Sequence, residues 1–157
     1  MRSIKAIFLD RDGVLNKAIY SEKNQKVRPP YSKKELLILY ENIKDINCYN
    51  DNYYFFIITN QPDIKRGLQT KEFNDYINSR ITKLINISEI STCLCEDKEK
   101  GCDCYKPKPG MILELQKKWN INLNKSFVIG DRWRDVLAGQ EAGCKTIFIK
   151  KKNNILD

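Results

Sequence analysis

The 157-residue chain has no histidine. That absence removes Ser-His-Asp triads, histidine phosphatases and histidine zinc ligands together. Proton transfer near neutral pH is left to carboxylates, lysine, tyrosine or cysteine. Long apolar runs are missing too. The longest, Tyr53 to Ile58, suits a strand, and neither end carries the stretch that a signal peptide or a membrane span needs. A cytoplasmic protein without membrane association is therefore expected. Internal repeats and low-complexity segments are also lacking. Acidic residues are outnumbered, 20 against 28 basic, for a formal charge of +8. The positive side chains are scattered apart from Lys150-Lys151-Lys152, which suits small phosphorylated substrates better than nucleic acid.

With 41% hydrophobic residues, a chain of this length can bury one core, so a single domain over residues 1–157 is expected. Short apolar runs at Ile4 to Leu9, Tyr53 to Ile58, Phe127 to Ile129 and Thr146 to Ile149 read as strands. Between them, Thr70 can cap a helix in which Phe73, Tyr76, Ile77, Leu84 and Ile85 share a face. Met111 to Trp119 and Asp135 to Ala142 read as further helices. Ser32-Lys-Lys-Glu35 has the form of a capping box, which predicts helix over much of the span to Cys48. Lys17 to Ser32, with Pro29-Pro30, reads as an exposed flap too short to be a lid domain, and Lys150 to Asp157 as a tail. Apolar strands alternating with helices predict an α/β fold, a Rossmann-like parallel sheet with helices on both faces.

In such sheets ligands bind beyond the carboxyl ends of the strands, where Asp10, Thr59 and Asp131 all fall. Asp10 and Asp12 lie two apart, so one can attack a phosphoryl group while the other handles protons. Lys106 and Thr59 can supply the fixed charge and donors that a transferring phosphoryl group requires. Asp131 with Asp10 offers hard oxygen ligands suited to Mg2+. An ordinary turn explains Asp-x-Asp-Gly taken alone, but not four such segments at matching strand ends.

Cysteines supply a second signal. Cys93, Cys95, Cys102 and Cys104 form two closely spaced pairs joined by a charged loop without an apolar face, a pattern that can wrap a structural zinc ion. Free thiols or a redox pair are the alternatives. Cys48 and Cys144 stand apart and read as core packing.

Asp10-Arg-Asp12-Gly-Val-Leu-Asn16, Thr59-Asn-Gln-Pro, Lys106-Pro and Gly130-Asp131-Arg-Trp-Arg-Asp135 resemble, in order, the four motifs of the haloacid dehalogenase (HAD) superfamily. The likeness is closest to its cap-less branch of heptose 1,7-bisphosphate 7-phosphatases and histidinol-phosphate phosphatases, and it spans nearly the whole chain. The resemblance implies that Asp10 is the nucleophile, Asp12 the general acid and base, and Thr59 and Lys106 phosphoryl stabilisers. It further implies Mg2+ held by Asp10, the main-chain carbonyl of Asp12, and Asp131, with Asn60, Gln61, Tyr105 and Arg132 in or beside the substrate site. That branch carries a zinc loop before the motif lysine, although Cys95 stands where a histidine is usual. Tyr105 stands where an arginine commonly precedes the lysine, so weaker dependence on a second anionic group is expected.

The expectation is a monomeric Mg2+-dependent phosphomonoesterase with a zinc-stabilised loop. Its substrate would be a small phosphorylated metabolite, first a heptose phosphate or bisphosphate or another surface-polysaccharide precursor. Histidinol phosphate and a polynucleotide 3'-phosphate are alternatives, and a non-catalytic zinc-stabilised binding module is the alternative outside enzymes.

Overall fold

In the computed structural model, which describes residues 2–150, the apolar runs distribute their side chains between two faces of one sheet. Strands β1 (Ala6–Leu9), β4 (Tyr54–Asn60), β5 (Ile87–Cys93), β6 (Phe127–Gly130) and β7 (Lys145–Phe148) pair in parallel in the order β5-β4-β1-β6-β7. Ala6, Phe8, Phe56, Ile58 and Val128 face one way, toward helices α4 (Gly110–Trp119) and α5 (Trp133–Ala142). Ile7, Leu9, Phe55, Ile57 and Ile129 face the other, toward α1 (Tyr40–Asn47) and α3 (Lys71–Thr82), the short α2 (Pro62–Lys65) following β4. Burial on both faces explains why these central strands lack the polar alternation of a half-exposed sheet. Each such Phe or Ile contributes roughly 1.5–3 kcal/mol of burial.

Thr70 caps α3 as expected, its hydroxyl accepting from the Phe73 amide at 3.1 Å. The helix expected from Ser32 does not form. Glu35, which a capping box would turn back on Ser32, is taken by both Nη atoms of Arg28 (2.9 and 2.8 Å) and by the Tyr31 amide (2.7 Å). A turn results, with the Glu35 amide donating to the Ser32 carbonyl, and α1 begins only at Tyr40. The segment read as a flap contains an antiparallel hairpin of β2 (Ile19–Ser21) and β3 (Lys26–Arg28). Strand β5 has no counterpart among the expected elements. It is an edge strand whose sequence, ISEISTC, is half polar, so no apolar run announces it.

Cys144 is buried as expected, and burial pushes its thiol up to about 11. Cys48, expected in the core, is exposed at the end of α1, where its Sγ contacts the Lys44 carbonyl. The basic cluster at Lys151-Lys152 and the remainder of the expected tail lie outside the described residues. Among the described residues no helix is long and apolar enough to cross a membrane.

Candidate active site

Central strand β1 delivers Asp10 between the ends of β4 and β6, and the Asp10 amide donates to the Ile129 carbonyl at 3.0 Å. The chain then turns sharply, with the Arg11 carbonyl accepting from the amides of Val14, Leu15 and Asn16. Gly13 sits in that turn at φ 100°, and a side chain there would collide with the Asp131 carboxylate. Its absence lets the β1 and β6 loops touch. Gly130 plays the same part for α5, since a Cβ at this position would overlap Asp135.

Lys106 is the hub. Its buried ammonium donates to Asp10 Oδ1 at 2.9 Å, to Asp135 Oδ1 at 2.6 Å and to the Ile58 carbonyl at 2.9 Å. Asn60 fixes the lysine's main chain from both sides, accepting from its amide at 3.0 Å and donating to its carbonyl at 3.2 Å. Asp12 points beside Asp10, where Gln61 Nε2 donates to its Oδ2 at 2.7 Å and Asn16 Nδ2 to its Oδ1 at 3.0 Å. The same Gln61 amide also reaches Thr59 Oγ1 at 2.8 Å, so Gln61 holds two site residues from a fully buried position. Arg11 is fully buried as well and turns away from the site. It donates to Asn74 and Asn78 of α3 and pairs with Asp12 at 3.3 Å.

Asp10, Asp12, Asp131 and Asp135 outnumber the cations Lys106 and Arg11 by two. Burial is the largest influence on Asp10, and Asp135, Asp12 and Asp131 add to it. Against the opposing pull of Lys106, they push its carboxyl up to about 8. Burial would lower Lys106, but Asp10 and Asp135 together hold it above the ordinary lysine range. Oxygens of Asp10, Asp131 and Asp135 lie within 4.8 Å of one another, a hard-oxygen cluster that fits Mg2+. Both oxygens of Asp135 already have donors, Lys106 and the Arg132 amide, which favours Asp10 and Asp131 as direct ligands.

A cleft of about 500 Å3 opens above these groups. Asn60, Tyr105 and Arg132 line it, whereas Gln61 lies beneath. Hairpin residues Lys26 and Arg28, with Tyr31, Arg66 and Arg134, complete the wall. Tyr31 donates to Asp63 at 2.7 Å, and burial followed by this bond pushes its hydroxyl up to about 12. Among the residues bonded to the carboxylate cluster, Arg11, Asn16 and Asp135 carried no expected role. Position inside the first motif was the available signal for Arg11, and the acid in the first turn of α5 for Asp135.

The four loop cysteines converge behind Lys106. Cys93 and Cys104 are joined as a disulfide, and three further Sγ···Sγ distances are 3.6 to 3.8 Å. Carboxylates of the loop reach forward, with Glu96 pairing to Arg66, Glu99 to Lys65 and Asp97 to Arg134.

Residues 103–154 match the HAD-hydrolase-like family. With paired carboxylates at the end of a central parallel strand and a lysine bridging two acids, fold and site define a phosphatase of the haloacid dehalogenase class. A D-glycero-alpha-D-manno-heptose-1,7-bisphosphate 7-phosphatase of Photorhabdus laumondii is 35% identical, covering 94% of this chain and 83% of that protein. The beta-anomer enzyme of Helicobacter pylori is 34% identical, covering 99% and 85%. The crystal structure of the D,D-heptose 1,7-bisphosphate phosphatase from B. bronchiseptica, complexed with magnesium and phosphate, superposes with a TM-score of 0.78. It is 28% identical, covering 91% of this chain and 79% of that one. The chain belongs to the family of these heptose-bisphosphate phosphatases.

Proposed function

We propose that the protein removes the 7-phosphate of a heptose 1,7-bisphosphate through an aspartyl-phosphate on Asp10. The observation that carries this reading is the placement of Asp10 against Lys106, with Asp12 held beside it by Gln61 and Asn16. An oxygen of Asp10 attacks phosphorus as the ester bond breaks, and Asp12 gives its proton to the departing sugar oxygen. Asp12 then takes a proton from water, whose oxygen displaces Asp10 and releases inorganic phosphate. Lys106 stabilises the charge on the transferring oxygens, and Thr59, whose hydroxyl accepts from Gln61 and keeps its own proton to donate, is a further donor. Mg2+ held by Asp10 and Asp131 would neutralise the acidic cluster and the phosphate charge. Relatives acting on both anomers match this chain, so a panel is the direct test. Release of phosphate from the alpha and beta heptose 1,7-bisphosphates, histidinol phosphate, a 3'-phosphorylated oligonucleotide and p-nitrophenyl phosphate is measured with Mg2+. One heptose bisphosphate anomer is expected to give the highest kcat/KM. A preference for histidinol phosphate or the oligonucleotide would reassign the substrate, and inactivity on every compound would leave a binding module.

With the Cys93–Cys104 pair reduced, the four thiolates form a structural zinc site. Three Sγ separations outside that pair, 3.6 to 3.8 Å, match the roughly 3.8 Å edge of a tetrahedron with Zn–S bonds of about 2.3 Å, and the fourth, within the pair, would open to that length on reduction. Protein purified under reducing conditions without chelator is expected to hold about one zinc per chain, and Cys102→Ser to lose it. Hydrogen exchange over residues 93–105 should rise in the variant, and turnover should fall because the loop leads into Lys106. Purified wild type lacking zinc would refute the site.

A further inference from the structure

Position 105 carries a tyrosine, and a guanidinium reaches its ring from another element. Arg134, in the first turn of α5, lies with its guanidinium carbon 5.4 Å from the centroid of the Tyr105 ring and 5.0 Å from that of Trp133. Its Nη1 donates to the Lys106 carbonyl at 3.4 Å and its Nη2 to Asp97 at 2.9 Å. The side chain is therefore fixed directly beside the lysine that holds Asp10. It remains 24% exposed and faces the cleft that Asp10, Lys106 and Tyr105 also line.

Two other arginines around the cleft are more fully committed. Arg28 gives both Nη atoms to Glu35, and Arg66 is divided between Asp63 and Glu96. The carboxylate on Arg134, Asp97, is 44% exposed, so its charge is screened by solvent, as is that of Glu96 on Arg66, whereas Asp63, the other partner of Arg66, is 10% exposed. Two of the five guanidinium N–H groups serve the contacts named, leaving a planar fork suited to a phosphate. The two aromatic rings fix the plane of that fork, which lowers the entropy lost when an anion docks.

Resting on the heptose bisphosphate reading, we propose that Arg134, stacked on Tyr105, is the distal anion site of this enzyme. It binds the phosphate that stays on the sugar while Asp10 attacks the other. Tyr105 is then a platform for a guanidinium supplied by α5, and dependence on a second anionic group is retained, contrary to what Tyr105 suggests in the sequence. Asp97 acts as the positioning residue, anchoring the fork from the cysteine loop at the cost of some repulsion toward the ligand.

The test compares wild type, Arg134→Ala and Arg134→Lys on heptose 1,7-bisphosphate and p-nitrophenyl phosphate. A charge-assisted two-donor contact predicts that Arg134→Ala lowers the ratio of kcat/KM values, bisphosphate over p-nitrophenyl phosphate, by roughly 10- to 100-fold. The loss should appear in KM for the bisphosphate, and Arg134→Lys should recover part of it. Competitive inhibition by the product, heptose 1-phosphate, gives a readout independent of the chemical step, and its Ki should rise by a similar factor in Arg134→Ala. An equal loss on both substrates, or an unmoved Ki, overturns the assignment while leaving the heptose reading intact. A wild type that hydrolyses p-nitrophenyl phosphate but gains nothing from the second phosphate removes both.

Discussion

Asp10→Asn is expected to abolish turnover, by on the order of 10^4-fold or more, together with any phosphoenzyme. Asparagine keeps the shape and can still accept from Lys106, whose ammonium retains Asp135 and the Ile58 carbonyl. The fold should therefore persist, and the loss should be chemical. Asp12→Asn should instead slow both formation and breakdown of the intermediate, because its role recurs in each half-reaction. Substantial Mg2+-dependent phosphate release by purified Asp10→Asn would sink the mechanism.

The same variant carries a stability signature. Without divalent cation, burial and then the neighbouring carboxylates, opposed by Lys106, raise the Asp10 carboxyl from 3.8 to about 8. A raised pKa means that the folded state holds the proton more tightly than the unfolded chain. The group's contribution is complete below the unfolded value and is lost as pH rises through the folded one. Wild type without Mg2+ should lose stability relative to Asp10→Asn between about pH 4 and pH 8, and added Mg2+ should narrow the gap. Urea denaturation at both pH values measures this, and a difference independent of pH would contradict the raised pKa.

The alternation of Ala6, Ile7, Phe8 and Leu9 between two packed faces is legible in the sequence, because a strand buried on both sides needs apolar residues throughout. The carboxyl ends of those strands were legible for the same reason, each run stopping at a charged or polar site residue. Strand β5 was not, since Glu89 on this edge strand spends its polarity on Trp119 and Lys118 rather than on solvent alone. The helix expected from Ser32 failed because a local capping signal lost to Arg28, a partner on the hairpin that no local pattern reveals. Arg134 was illegible for a related reason. Its meaning depends on Tyr105, which is distant in sequence and comes alongside only when α5 and the cysteine loop dock.

Lys106→Met should cost both stability and activity, and the two losses can be separated. The ammonium is 4% exposed and lies between the carboxylates of Asp10 and Asp135. Removing it leaves two buried acids facing each other, and breaking a buried pair in this way costs about 3–5 kcal/mol. Turnover should fall by roughly 10^2- to 10^3-fold, the scale of losing one preorganised donor to a transition-state oxygen. Adding Asp135→Asn removes one of the stranded charges while preserving its shape. Lys106→Met/Asp135→Asn should therefore regain much of the stability yet stay as inactive as Lys106→Met, because no cation has returned to the phosphoryl oxygens. Thermal unfolding and phosphate release on the two variants are the measurements. Recovery of activity in the double variant would mean that Lys106 serves to quiet Asp135 rather than to stabilise the transferring group. Failure to recover stability would mean that the bond to the Ile58 carbonyl, not the charge pairing, is what the fold loses.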